Sequence, residues 1–183
     1  DYPAERLTFM LQDTQSPLVL THTLLRSKVS HVQTQVYCLD AIWPLVACES
    51  TAPTVSAVQP LHLVYVIYTS GSSGWPKGVM VQHQGLCNFA ESQRHAFHLQ
   101  SEERVLQFAS IGFDASIFEM VLAFYAGACL CLAPRDMLLV GATIEDTLST
   151  HEITTVVLSP TVLTFLHPDH LSSVRTVISV GEE

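Results

Sequence analysis

Apolar and polar positions along this chain alternate in short blocks that switch between helix-like and strand-like periods. Leu7, Met10 and Leu11 fall on one helical face behind Pro3 and predict a helix over 3–13. The run PLVLT at 17–21 predicts a strand, 22–33 a helix, and QVYCL at 35–39 another strand. Residues 40–60 hold three prolines and several Ser and Thr, which predicts a long surface connection rather than a domain boundary. Leu61 to Thr69 is apolar on both alternations, the pattern of a strand buried on both faces in a parallel sheet. Further on, strands are expected at 79–82, 104–109, 128–133, 154–159 and 174–180, and helices at 84–97, 116–126, 143–151 and 161–167. Strands alternating with helices imply an α/β fold, a mostly parallel sheet with flanking helices. No internal repeat stands out.

Composition narrows this picture. Charged residues make up 14% and apolar residues 48% of the 183, against about 25% charged in an average domain. A membrane protein and the interior of a larger α/β protein both fit those totals. A spanning helix needs about 20 apolar residues. The longest apolar run, Met120 to Ala133, is shorter and is broken by Gly127. It predicts a helix end, a glycine C-cap and a strand instead. No membrane partner is expected. The net charge of −9, with scattered Lys and Arg, argues against nucleic acid as a partner. The five cysteines include no CxxC pair, and reduced core thiols in a cytoplasmic setting are the expectation. Cys129 and Cys131, two apart in a strand, are expected on one face. The opening DYPAER has no initiator Met or signal-peptide pattern, and the text stops within SVGEE. A piece of a longer protein is therefore expected.

In open parallel sheets, ligands bind beyond the carboxyl ends of the strands. Thr69–Gly78, Ala109–Ser116, LSPT at 158–161 and Val180–Glu183 all lie at such ends. The first is the most distinctive. In YTSGSSGWPKGV, Thr69, Ser70, Ser72 and Ser73 offer hydroxyl donors, while Gly71, Gly74 and Gly78 free the backbone to turn its N–H groups inward. Lys77 adds a mobile positive charge and Pro76 stiffens the approach. The set suits a polyphosphate, although a Gly/Ser loop is more often a flexible linker. It is not a Walker loop, because Pro76, Lys77 and Gly78 break that spacing, and no GxGxxG occurs.

The stretch YVIYTSGSSGWPKGVMVQHQGL resembles the signature of the adenylate-forming superfamily, which holds acyl-CoA synthetases, luciferases and the adenylation domains of nonribosomal peptide synthetases. QFASIGFDASIFEM, DYPAERLTFMLQD, VVLSPTVL and VISVGEE fall into register with the peptide-synthetase branch. Trp75 stands where a small or polar residue is usual, and VGEE departs from the commoner GGE. The resemblance covers nearly the whole chain and implies part of the large N-terminal subdomain, cut at both ends. It implies that Thr69, Ser70, Gly71, Ser72, Ser73, Gly74, Lys77 and Gly78 hold the phosphates of ATP, with Lys77 in a catalytic role. A substrate carboxylate would attack the α-phosphorus, giving an acyl-AMP and pyrophosphate. The glutamate that binds Mg2+, the aspartate that holds the ribose and a second catalytic lysine are expected beyond Glu183. A carrier-protein domain with its phosphopantetheine arm is the expected acceptor.

FDASIFEM poses a second choice. Ser116 and Glu119 fit a capping box, with Asp114 on a bend before the helix. Asp114 then either caps the helix or offers a carboxylate to a cationic group. The resemblance implies the latter: Asp114 pairs with the α-ammonium of an amino acid, and Ala115, Phe118, Val157, Ile178 and Val180 line its side-chain pocket. All five are apolar, which suits an apolar amino acid. An acyl-CoA or aryl acid ligase and a non-catalytic nucleotide-binding module remain as alternatives. His83, Glu182 and Glu183 receive no role.

Overall fold

Thr155–Leu158, the strand β7, is buried along its whole length, and its side chains go alternately to two cores. Val156 and Leu158 pack with Leu106, Ile144, Leu148, Val162 and Leu166 on one face. Val157 packs with Leu99, Val105, Leu122, Ala123 and Ile178 on the other. Each such side chain contributes roughly 1.5–3 kcal/mol by leaving water, so both faces of the strand require cover. The cover comes from α4 (Asp114–Ala126) on one side and from α5 (Ala142–Thr150) and α6 (Pro160–Leu163) on the other.

The computed structural model describes residues 2–31, 33–70, 75–138 and 142–181. The chain divides into two units, Asp1–Val81 and Gln82–Glu183. In the second, β7 sits in a four-stranded sheet of order β6-β5-β7-β8, with β5 at Arg104–Leu106, β6 at Cys129–Cys131 and β8 at Thr176–Ser179. Its three pairings are parallel, and Val157 lies opposite Ile178 across β7 and β8. Helix α3 (His83–Phe97) places Phe89 and Phe97 on Phe118 of α4, at ring-centre distances of 5.4 and 6.2 Å. Gly127 closes α4 at φ 71°, and the N–H groups of Gly127 and Ala128 return to the carbonyls of Phe124 and Ala123. This is the expected glycine C-cap.

The first unit contains α1 (Ala4–Asp13), β1 (Leu18–Thr21), β2 (Gln35–Cys38), α2 (Leu39–Val46), β3 (Leu63–Thr69) and β4 (Lys77–Gln82). β1 and β2 pair in parallel, and β3 pairs with β4 in a separate two-stranded sheet. The α/β class, with its parallel sheet and flanking helices, is as expected.

Several local expectations are corrected. The segment 22–33 forms a tight 3-10 helix over Thr23–Val29 in place of a longer helix. Residues 40–60 are not irregular throughout, because α2 runs through Pro44. That proline sits in the last turns, where it forfeits one backbone bond, to the Asp40 carbonyl. β3 is not enclosed on both faces: Val64–Ile67 are half-buried and only Tyr68 is buried. The enclosed strand is β7. Of the cysteines, Cys131 is buried, whereas Cys48, Cys87 and Cys129 are exposed. Cys129 and Cys131 do share a face, with their sulfurs 3.9 Å apart as free thiols. No helix among the described residues is long and apolar enough to cross a membrane.

Candidate functional site

Within the first unit, the hydroxyl- and glycine-rich segment joins the end of β3 to the start of β4. Thr69 is the last residue of β3 and Lys77 the first of β4. Thr69, Ser70 and Lys77 are exposed, and Gly78 is half-buried. Gly71, Ser72, Ser73 and Gly74 lie outside the described residues. The two ends of the segment are held on α1. Phe9 meets Tyr68 edge-on at 6.3 Å and Trp75 at 5.3 Å between ring centres. The Tyr68 hydroxyl donates to Asp13 Oδ2 at 2.5 Å and to the Met10 carbonyl at 3.4 Å. Burial, together with the bond to the Asp13 carboxylate, pushes the phenol up to about 12. Gly78 lies at a close approach, since a Cβ there would stand 3.1 Å from both the Tyr68 ring and a Val66 methyl. That is tighter than packed neighbours accept without shifting.

In the second unit, the segment from Gln107 to Phe113 connects β5 to α4. Asp114 is the first residue of α4 rather than a residue on the bend before it. Its carboxylate is exposed, at the helix end where negative charge is favoured. The predicted capping box does not form. Phe113 is the N-cap without a side-chain bond, and Ser116 Oγ donates to the Phe113 carbonyl at 2.6 Å. Glu119 turns inward and is 0% exposed. Its Oε1 accepts the Phe108 N–H at 3.1 Å and the Ala109 N–H at 3.0 Å. Its Oε2 accepts the Ala109 N–H at 3.1 Å and the Gln107 side-chain amide. Burial raises this carboxyl to about 7, against the two main-chain donors, which pull it down.

The sequence-predicted apolar residues separate into two groups. Phe118, Val157, Ile178 and Val180 come together in one cluster: Val157 and Ile178 are buried, and Phe118 and Val180 pack against them. Ala115 is half-buried outside that cluster. Val180, just past β8, is anchored by its N–H to the Leu158 carbonyl at 3.1 Å. Among the described residues, no three His, Cys, Asp or Glu side chains come together as a metal site.

Sequence reasoning gave Glu119 the wrong partner, although a signal was present. Glu119 shares its helix face with Leu122, Ala123 and Ala126 at spacings of three, four and seven. A carboxylate on an apolar face points to a buried acceptor, not a solvated cap. The brace formed by Phe9, Asp13, Tyr68 and Trp75 had no such signal, because 55 residues separate Asp13 from Tyr68.

A parallel α/β sheet with loops at its carboxyl ends defines a broad class of ligand-binding enzymes. The family model of AMP-binding enzymes matches residues 1–183, and the chain belongs to that family. It is 41% identical over 180 residues to a linear gramicidin synthase of Brevibacillus parabrevis, covering 98% of this chain and 2% of that protein. It is 36% identical over 183 residues to tyrocidine synthase 1 of Brevibacillus parabrevis, covering 99% of this chain and 17% of the synthase. Among solved structures, a nonribosomal peptide synthetase with α-methyl-L-serine-AMP bound superposes with a TM-score of 0.85 at 25% identity, over 99% of this chain and 21% of that one. The chain thus spans a small fraction of the relatives it matches.

Proposed function

We propose that this chain is part of an adenylation domain that activates an amino acid with ATP for nonribosomal peptide synthesis. The observation that carries the reading is the similarity, along almost the whole chain, to linear gramicidin and tyrocidine synthases. In this reading Thr69, Ser70, Lys77 and Gly78, with Gly71, Ser72, Ser73 and Gly74 between them, hold the triphosphate. An oxygen of the amino-acid carboxylate bonds to the α-phosphorus, and the bond from that phosphorus to the bridging oxygen of the β-phosphate breaks. Aminoacyl-AMP forms and pyrophosphate leaves. Lys77 is exposed at the head of β4, free to follow the charge that gathers on the leaving group. Stabilising such charge is the main task of a site of this kind. Mg2+ accompanies the triphosphate, and we assign it no protein ligand here.

Asp114 takes the α-ammonium, and Ala115, Phe118, Val157, Ile178 and Val180 take the side chain. The clustering of Phe118, Val157, Ile178 and Val180 around an apolar core supports an apolar amino acid, since a polar side chain would lose hydration there without replacement. The aminoacyl group then passes to the phosphopantetheine thiol of a carrier domain. The test is amino-acid-dependent ATP–pyrophosphate exchange by the full-length protein. Exchange is expected with aliphatic or aromatic amino acids, and absence of exchange across all the proteinogenic amino acids sinks the reading.

A further inference from the structure

Glu119 is an ionisable side chain on the buried face of α4. It is fully buried beside Leu122 and Ala123, where an ionisable group is costly unless its acceptors are used. They are used on a single target. Both carboxylate oxygens are engaged by Gln107, Phe108 and Ala109, the first three residues after β5. The far end of the same segment closes on itself, with the Phe113 N–H bonded to the Ser110 carbonyl at 2.9 Å and the Ser116 N–H to the Phe113 carbonyl at 3.1 Å. The seven residues from Gln107 to Phe113 are therefore held at their start by a side chain of the helix they lead into. Asp114 is the next residue. Gln107 Nε2 also donates to the Ala109 carbonyl at 3.3 Å, while Gln107 Oε1 is buried without a partner.

We infer that Glu119 is a positioning residue for the amino-acid site, its buried carboxylate fixing the segment Gln107–Phe113 so that Asp114 is presented at a set place at the head of α4. The inference rests on the proposed role of Asp114. Glu119 itself does not touch substrate. Five positions along a helix place it about 140° around the axis from Asp114, so it supports the site from the core side. A residue that serves stability alone lowers the amount of active protein and leaves the apparent KM unchanged. One that sets the place of Asp114 raises KM for the amino acid and spares ATP.

The experiment uses Glu119→Gln in the full-length protein. The amide keeps the shape but turns one acceptor into a donor facing the N–H groups of Phe108 and Ala109. Steady-state pyrophosphate exchange at pH 8, where Glu119 is ionised, should show KM for the amino acid up by about tenfold or more, with KM for ATP within about twofold. Hydrogen exchange should show the Phe108 and Ala109 amides losing protection. Folded Glu119→Gln with both KM values within about twofold of wild type overturns the inference. If that variant does not fold, Gln107→Ala replaces it, withdrawing one side-chain donor while the main-chain bonds stay. A smaller rise in amino-acid KM supports the inference, and an unchanged KM overturns it. If wild type shows no amino-acid-dependent exchange, the proposed function fails. The clamp is then judged by the two amides alone: retained protection in Glu119→Gln overturns it, and lost protection leaves it standing as a positioning device for the segment.

Discussion

Two strand exits in this molecule are fixed by opposite means. After β3, the chain is held from outside the segment by aromatic packing and a phenol hydrogen bond: Phe9 on Tyr68 and Trp75, and Tyr68 on Asp13. After β5, it is held from inside the core by a buried carboxylate that accepts main-chain N–H groups. The first device grips the stems and leaves Thr69, Ser70 and Lys77 exposed. The second grips the segment's own backbone at Phe108 and Ala109. The contrast follows from the proposed ligands. In the proposed reading, a polyphosphate accepts from several donors along the segment, whereas one ammonium group needs one carboxylate at a defined place.

The largest test of the contrast is Lys77→Ala in the full-length protein. The rate of pyrophosphate exchange at saturating substrates should fall by roughly 100-fold, the usual effect of removing one charge-stabilising donor. An unchanged rate removes Lys77 from the chemistry and reduces the first exit to a connection. Next comes pH. Glu119 is raised to about 7 by burial, so the folded state holds a proton that the unfolded chain releases above its ordinary range. That contribution to stability is complete below about 4.5 and is lost as pH rises through about 7, up to about 3 kcal/mol in all. Thermal unfolding of wild type and Glu119→Gln across pH 5 to 8 should show wild type losing ground to the variant as pH rises. Parallel curves would mean that Glu119 is ionised in the folded protein throughout. Asp114→Ala should raise KM for the amino acid by about thirtyfold, or about 2 kcal/mol, a typical value for a hydrogen bond to a charged group. A normal KM in that variant separates Asp114 from the ammonium. The smallest effect concerns the stem. Tyr68→Phe removes the hydroxyl bonds to Asp13 and Met10 and should lower stability by about 1 kcal/mol, read as a lower thermal midpoint with exchange activity retained.

Which parts of this were readable in advance depended on the range of the forces involved. β7 was legible as a strand, because four apolar or β-branched residues lie in a row between two helical patterns, while burial on both faces was expected of 61–69 instead. The C-cap at Gly127 was legible for the same local reason. β3 looked similar in letters and came out half-buried, since its sequence states that a strand is apolar and not how many neighbours it has. Pro44 argued against α2, yet the helix runs through it, with the Asp40 carbonyl left without its usual main-chain partner. Asp114 was placed on a bend ahead of a helix expected from Ser116, and it is instead the first residue of a helix that begins two positions earlier, with its carboxylate exposed. Phe118, Val157, Ile178 and Val180 were named on resemblance, and the sheet gathers them into one cluster through the register that sets Val157 against Ile178.

The sequence by itself determined the alternation of strands and helices, the chemistry of the hydroxyl- and glycine-rich segment, and membership of a family whose model spans all its residues. The first two features are local: they depend on side-chain type and on spacings within about ten residues. Only the tertiary structure decided that Glu119 serves the backbone of Phe108 and Ala109, and that Phe9 and Asp13 hold Tyr68 from more than fifty residues away. A buried polar group must find its partner wherever folding brings one within about 3 Å. Residue order alone carries no distance of that kind.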